Sequence, residues 1–420
     1  MIVNGWVEEI RNLGGIKFIS LLTSNGNIQI TLVKGKVPQE LFMMVDTISR
    51  QSVISVEGVE KENKEAPGGK EIIPEKIELF SSSQTPLPLD PSGKTPAELD
   101  TRLDWRSLDL RNKKNRAIFR IQSKIVEGMQ EFLNKEGFIQ VFTPCIMGAA
   151  SEGGSEVFPV VYFNKEAFLR QDPQLHRELT IIGGLTKIYD IGPSWRAEKS
   201  HTTRHLCEHR GCAVEMAFIK DERDVMKVEE ELVISAFKRV KQDCEEDLKI
   251  LGVDISIPKK PFPELKFPDI YSILEEFGKK INFGEDYDTE SERLLGKYVK
   301  EKYKSDFFFV NKFPFSVKPF YVMKVDNDPQ WARSVDLIYK GVEQSSGGQR
   351  EHRYEKLVDQ VKEKGLTQES VEWFTKFFKY GAPPMGGFCI GIERLTMQML
   401  GINNVREVAL FPRTPERLLP

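Results

Sequence analysis

From Ser81 to Gly93 the chain reads Ser-Ser-Ser-Gln-Thr-Pro-Leu-Pro-Leu-Asp-Pro-Ser-Gly, three prolines with no hydrophobic period. Neither a helix nor a central strand propagates through such a stretch, so it reads as an extended linker and the pieces on either side must each bury their own core. Upstream, apolar residues alternate or run in short blocks. Phe18–Leu22, a hairpin turn at Ser24-Asn25-Gly26-Asn27, the alternating Ile28–Leu32, then Val53–Val59 and Glu71–Leu79 predict strands.

Short strands at this spacing close into a small barrel, and an oligonucleotide-binding (OB) barrel over residues 1–84 is the expected form. Residues 85–112 are expected to be a linker or hinge, and 113–420 a second domain. There, Ile118, Ile121, Ile125, Met129 and Phe132 fall at helical spacing within 115–136, followed by strand-like Phe138–Phe142 and Pro144. Residues 221–300 are charged and helical and are expected as an insertion or peripheral layer. Strands are expected at Phe307–Val310, Phe320–Lys324 and Val335–Tyr339, and a helix from Gln368 to about Tyr380. Non-consecutive strands with helices gathered between them predict an α+β domain around an antiparallel sheet.

At 420 residues, 40% of them hydrophobic, the chain can bury at least one large core. No run approaches the ~18 apolar residues of a membrane helix, and Met1–Gly5 leads into strand-like sequence without a cleavable leader. Cytoplasm is the expected compartment, and neither membrane nor DNA is an expected partner. Five scattered cysteines without CxxC, and five histidines without HExxH, offer no metal cluster or disulfide framework. A net charge of −3 does not advertise nucleic-acid binding, though a basic face can sit on an acidic body.

No GxxxxGK[ST] is present and no GxGxxG follows a strand, so phosphate binding has to rest on side chains. Gly192-Pro-Ser-Trp-Arg-Ala-Glu198 and Gly386-Gly-Phe-Cys-Ile-Gly-Ile-Glu-Arg394 each set an arginine beside a carboxylate. Arg196 and Arg394 offer permanently charged forks suited to phosphate oxygens. Asp336 and Glu343 could present hard oxygens to Mg²⁺. Attack of a carboxylate on the α-phosphate of ATP needs charge neutralisation and alignment more than acid–base chemistry, which suits a site rich in Arg and poor in His. Taken singly, an Arg-x-Glu pair is ordinarily a surface ion pair and Gly-Gly ordinarily a turn; their co-occurrence is what carries the reading.

With these motifs, Pro86-Leu-Pro-Leu-Asp-Pro-Ser-Gly-Lys94, Glu98–Asp104, Ser151-Glu-Gly-Gly154, Thr203-Arg-His-Leu206, Ser345–His352 and Phe411-Pro-Arg413 make the chain, from Val3 to Pro420, resemble archaeal and eukaryotic-type aspartyl-tRNA synthetases. These are class II aminoacyl-tRNA synthetases of the aspartyl/asparaginyl/lysyl subgroup. The resemblance implies an anticodon-binding barrel ahead of a catalytic domain, a homodimer whose interface includes the helix and strand ending at Pro144, and ATP, Mg²⁺, aspartate and tRNA as cofactors and partners. It further implies that Arg196 holds the α-phosphate, that Glu198 and His205 set the bent ATP, and that Arg394 clamps its far end. Asp336 and Glu343 would carry Mg²⁺. Ser151 and Glu152 would close over the amino acid, with Gln174 and Ser346 in its pocket and Arg350 on its side-chain carboxylate. Phe18 would stack on an anticodon base, Gln29 would bond one, and Glu71 would be a further contact.

The chain departs from that pattern where Gln171-Asp-Pro-Gln-Leu-His-Arg177 replaces Gln-Ser-Pro-Gln-Leu-Tyr-Lys, so the second cation of the aspartate pocket becomes Arg177. Ala213 stands two residues before Glu215 where the family has aspartate, Cys389 where glycine is usual, and Met385 where histidine is usual. These changes motivate an alternative reading, a paralogue adenylating another acid for tRNA or another acceptor. A third is a non-catalytic RNA-binding relative, which decay of the ATP ligands would favour. An asparaginyl enzyme is disfavoured because two arginines suit an anionic side chain.

Overall fold

The computed structural model describes residues 1–148, 156–197 and 203–420. It divides into two compact units, Met1–Asn112 and Lys113–Pro420.

In the first unit, β1 (Ile2–Asn12), β2 (Ile16–Thr23), β3 (Gly26–Val33), β4 (Val53–Glu62) and β5 (Lys70–Ser81) close in the order β1-β2-β3-β5-β4, with β4 returning to β1. Ile19, Leu21, Ile30, Leu32, Ile54, Val56 and Ile72 fill the interior. Because successive strand residues point to opposite faces, Phe18, Ser20, Gln29 and Thr31 face away from this interior, Gln29 and Thr31 being nonetheless buried. Residues 85–112, expected as a linker, group with the barrel and carry two short helices, Leu99–Asp104 and Arg106–Asp109.

The second unit is built on an eight-stranded sheet. Its strands are β6 (Ile139–Gln140), β7 (Lys187–Trp195), β8 (Glu208–Ala217), β9 (Glu264–Lys266), β10 (Phe307–Asn311), β11 (Ser334–Tyr339), β12 (Val342–Arg350) and β13 (Met385–Gly391), in the order β9-β10-β11-β12-β13-β8-β7-β6. Pairing is antiparallel except at the edge strands β6 and β9. The expected α+β architecture is the one found.

One face of this sheet is apolar. Cys212, Val214 and Met216 of β8, Phe388 and Ile390 of β13, and Val335, Leu337 and Tyr339 of β11 pack against helices α1 (Lys113–Lys135), α3 (Glu222–Asp243) and α4 (Ile392–Leu400). Between α1 and α3 in the chain lies α2 (Gln174–Ile182), which contributes Leu175 and Ile181 to a separate cluster. The alternate residues of the same strands form the opposite face: His209, Gly211, Ala213 and Glu215 on β8, Gly387, Cys389 and Gly391 on β13, and Ser346, Gly348 and Arg350 on β12. A period of two thus divides a helix-covered core face from a polar one.

Two expectations need correction. The 221–300 stretch is not peripheral throughout: α3 buries Val225, Leu232, Val233, Ala236, Phe237 and Val240 in the main core. Phe320–Lys324 does not form a strand. Phe320, Tyr321, Val322 and Met323 are buried in a turn, Val322 makes a single bridge to Arg350, and only Lys324–Val325 is extended. No helix of the described residues is long and apolar enough to cross a membrane.

Candidate active site

The polar face of the sheet opens into a cavity of about 500 Å³. Gln174, Arg196, His205, Glu343, Ser346, Arg350 and Arg394 all line it, so seven of the residues singled out in the sequence meet in one place. Ser151, Glu152 and Glu198 lie outside the described residues.

At one end, Arg350 at the close of β12 is 4% exposed. Its Nε donates to Glu215 Oε1 at 3.0 Å and its Nη2 to Glu215 Oε2 at 3.2 Å and to Gln174 Oε1 at 3.1 Å. Gln174, the first residue of α2, completes the arrangement: its Nε2 donates to Glu215 Oε2 and to Glu178 Oε1, both at 3.0 Å. Burial raises the Glu178 carboxyl against the opposing pull of Arg350, with Glu215 adding to the rise. A Cβ at Gly387 would run into Val214 O, and Glu215 Oε2 would lie 2.5 Å from it, so glycine there is what admits the buried carboxylate.

Arg177 and Ala213 do not line the cavity. Arg177 lies behind its wall, 1% exposed, donating from Nη2 to Asp172 Oδ2 at 2.6 Å and to Gln174 Oε1 at 2.9 Å. Ala213 is 3% exposed and pairs across the sheet with Cys389. Cys389 is accommodated because Gly211 has no side chain, a Cβ there falling 2.5 Å from Cys389 Sγ. Burial pushes this thiol up to about 12, which keeps it protonated and unreactive. Met385 is fully buried in the cluster that holds Leu175 and Phe374.

At the other end, Arg196 follows β7 and its backbone N–H is held by Cys207 O at 3.0 Å. Arg394, in the first turn of α4, donates from Nη1 to Glu343 O and Oε1, both at 3.1 Å. Asp336 does not itself line the cavity: it is 4% exposed, with Lys318 Nζ 3.5 Å from its carboxylate, and Lys318, which does line the cavity, stands 3.6 Å over the Phe313 ring. Burial raises the Asp336 carboxyl, Lys318 opposes, and Glu343 adds to the rise. Glu292 follows the same pattern, pushed up to about 7 by burial and by Glu343. Hard oxygens that repel one another and attract an ammonium are a donor set suited to Mg²⁺, so Asp336 and Glu343 fit the ion assigned to them.

Several contributors were not singled out from sequence. His209 lines the cavity, and burial together with Arg196 and Arg394 lowers it to about 4, so it is neutral. Asp172, Lys318 and the buried partners Glu215 and Glu178 were also missed as site residues. The alternation His209, Gly211, Ala213, Glu215 was the available signal, since a strand that places one of these on a face places them all there. Lys318 carried no such signal.

Beneath the cavity Glu229 of α3 accepts a hydrogen bond from Ser345 Oγ, while its Oε2 has no partner. Burial pushes it up to about 8 from an ordinary 4.5, Ser345 opposing and Asp336 adding. A carboxyl raised on folding contributes stability that is full below its unfolded value and is lost as pH rises through the folded one. Glu229→Gln is therefore expected to stabilise the protein at pH 8, by on the order of 2 kcal/mol, and to make little difference at pH 4.5. Thermal melts at the two pH values check this; equal shifts at both would mean Glu229 does not titrate on folding.

In the barrel, Gln29 and Glu71 stand opposite one another across β3 and β5, and Phe18 opposes Thr31 across β2 and β3. Gln29 Nε2 donates to Glu71 Oε2 at 3.2 Å, and Thr31 Oγ1 donates to the same oxygen. Working against burial, bonds from Thr31, Asn63 and Gln29 lower the Glu71 carboxyl. Glu71 is thus part of one patch with Phe18 and Gln29, and the Arg11 guanidinium lies 5.5 Å from the centroid of the Phe18 ring.

A catalytic unit with a cation-lined cavity on an antiparallel sheet, following a closed five-stranded barrel, defines a class. Residues 98–415 match the family described as tRNA synthetases class II (D, K and N), and residues 1–80 match the OB-fold nucleic acid binding domain. The chain belongs to the class II tRNA synthetases of this D, K and N group. It is 50% identical over 418 residues to the aspartate–tRNA(Asp) ligase of Pyrococcus furiosus, covering 100% of this chain and 95% of that protein. It is 46% identical over 416 residues to the aspartate–tRNA(Asp/Asn) ligase of Methanopyrus kandleri, covering 99% and 95%. Among solved structures, asparaginyl-tRNA synthetase from Pyrococcus horikoshii complexed with asparaginyl-adenylate superposes with a TM-score of 0.93 at 33% identity, covering 100% and 96%.

Proposed function

We propose that this chain is an aspartate–tRNA ligase, activating aspartate with ATP to aspartyl-adenylate and transferring the aspartyl group to tRNA(Asp). The observation that carries this reading is one cavity lined by Arg350 and Gln174 at one end and by Arg196 and Arg394 at the other, with Glu215 buried behind Arg350. An amino acid whose side-chain carboxylate meets Arg350 would have its α-carboxylate directed toward a nucleotide held by Arg196 and Arg394. That carboxylate forms a bond to the α-phosphorus as the bond to the bridging oxygen breaks, and pyrophosphate leaves. No proton moves in this step. The site therefore needs cations and alignment, with neutral His209 as a hydrogen-bonding wall. Mg²⁺ held by Asp336 and Glu343 would supply further charge neutralisation on the phosphates.

The patch of Phe18, Gln29 and Glu71 offers an aromatic face and hydrogen-bonding edges, the combination that reads unstacked bases. Exposed Ile139, Phe142 and Ile146, just after α1, support a homodimer formed through this segment. All five cysteines are free, in keeping with a cytoplasmic setting.

ATP–pyrophosphate exchange against aspartate, asparagine, glutamate and non-proteinogenic acids tests the reading. Aspartate should drive exchange best; exchange with a different acid alone would point to the repurposed paralogue, and silence with all to an RNA-binding relative. For the barrel, Phe18→Ala or Gln29→Ala should reduce tRNA aspartylation about tenfold or more, as loss of a base stack or edge contact does, while leaving tRNA-independent exchange intact. Unchanged charging would remove the anticodon role. Sedimentation equilibrium reads the dimer directly, and a monomer at micromolar concentration would exclude it.

A further inference from the structure

Arg177 carries a permanent charge and is 1% exposed, and such a guanidinium is costly to bury without a counter-ion. The nearby carboxylates are largely committed. Glu215 is held in bidentate fashion by Arg350, and Asp190 is paired with Arg170 at 3.2 Å and hydrogen-bonded by Thr143. Glu178 bonds Gln174. Ala213, on the β8 face that looks toward the cavity, has no charge to offer. Among the described residues the carboxylate bonded to Arg177 is Asp172, at 2.6 Å.

Asp172 itself lines the cavity and is 23% exposed, whereas Arg177 does not reach it. The remaining contact of the same Arg177 nitrogen is Gln174 Oε1, which Arg350 also uses. Asp172 therefore decides where Arg177 points, and Arg177 helps decide where Gln174 and Arg350 sit. The sequence Asp172-Pro-Gln-Leu-His-Arg177 places both partners on one segment, the acid before α2 and the base within it, so a carboxylate on β8 is unnecessary.

We propose that Asp172 is a specificity-determining positioning residue, the counter-ion that orients Arg177 and through it the Gln174–Arg350 end of the cavity toward the amino-acid substrate; this rests on the amino-acid-activating reading above. With Asp172 in place, Arg177 has a carboxylate of its own and Glu215 is left to Arg350. Without Asp172, Arg177 is left to the carboxylates whose charge it already feels, Glu215 and Glu178, and competes with Arg350 for them.

The test is a double-mutant cycle of Asp172→Asn, Arg177→Gln and the pair together, read by pyrophosphate exchange with separate titrations of aspartate and ATP. Asp172→Asn is expected to raise KM for aspartate by about 30-fold or more, as loss of one partner of a buried charge pair does, with kcat and KM for ATP changing less than about threefold. In the Arg177→Gln background the same change should cost almost nothing further, because the residue it acts through is gone. Additive effects, an aspartate KM within about threefold of the unmodified protein, or equal losses in kcat and ATP KM would each overturn the proposal. If the unmodified protein is driven by another acid, the aspartate reading fails on its own, and the cycle is scored with that acid under the same criteria.

Discussion

Arg196→Ala is expected to lower aspartate-dependent pyrophosphate exchange roughly 100- to 1,000-fold, the range seen when a preorganised charge aimed at a developing anion is removed. The residue follows the last paired position of β7, Trp195↔Glu208, so its backbone is fixed by the sheet while its exposed side chain lines the cavity. The side chain is exposed rather than packed in the core, so the melting temperature should move little. Arg196→Lys should recover only part of the loss, since an ammonium keeps the charge but not the planar fork. Exchange above about a third of the unmodified rate in the alanine variant, at saturating ATP, would remove Arg196 from phosphate binding.

Arg350→Ala should fail differently, in folding as well as in activity. Glu215 is 0% exposed and receives two bonds from Arg350, so truncating the arginine strands a buried carboxylate. Breaking a buried pair from one side costs about 3–5 kcal/mol, enough to lower the melting temperature of the catalytic unit by several degrees. Aspartate-driven exchange should be lost with it, because Gln174 loses a partner that holds its Oε1. The control is Arg350→Ala combined with Glu215→Gln, which removes the stranded charge and should restore much of the stability but none of the aspartate dependence. An alanine variant as stable as the parent would mean that Glu215 finds another cation, and the arrangement around Gln174 would have to be redrawn.

Both predictions rest on residues legible in the sequence, whereas their partners are not. Arg196 and Arg394 stand in compact motifs whose co-occurrence already points to a phosphate-bearing ligand. Arg350 could be named, but its engagement by Glu215 could not, because the two residues lie on strands separated by β13 in the sheet. Apolar runs posed the opposite difficulty. Phe320–Met323 has the composition of a strand, yet a short apolar block has no period to distinguish a strand from a buried turn, and here it is the turn. In α3, glutamates that count toward a solvated surface are buried instead. Glu229 receives Ser345 and Glu230 receives the backbone N–H of Phe262 at 2.5 Å, so a charged pattern concealed a core helix.

By itself the sequence determined the barrel, the α+β sheet with its antiparallel strands, the long helix α1, and the candidates Arg196, Glu343, Arg350 and Arg394 that line the cavity. These follow from alternation, helical spacing and local motifs, all of which act between residues a few positions apart. Only the tertiary structure decided which acid neutralises which arginine, that Cys389 fits because Gly211 lies beside it, and that Arg177 sits behind the wall rather than in the cavity. Such pairings depend on burial and on distances between strands far apart in the chain, where a buried charge takes whichever partner the fold brings within about 3 Å.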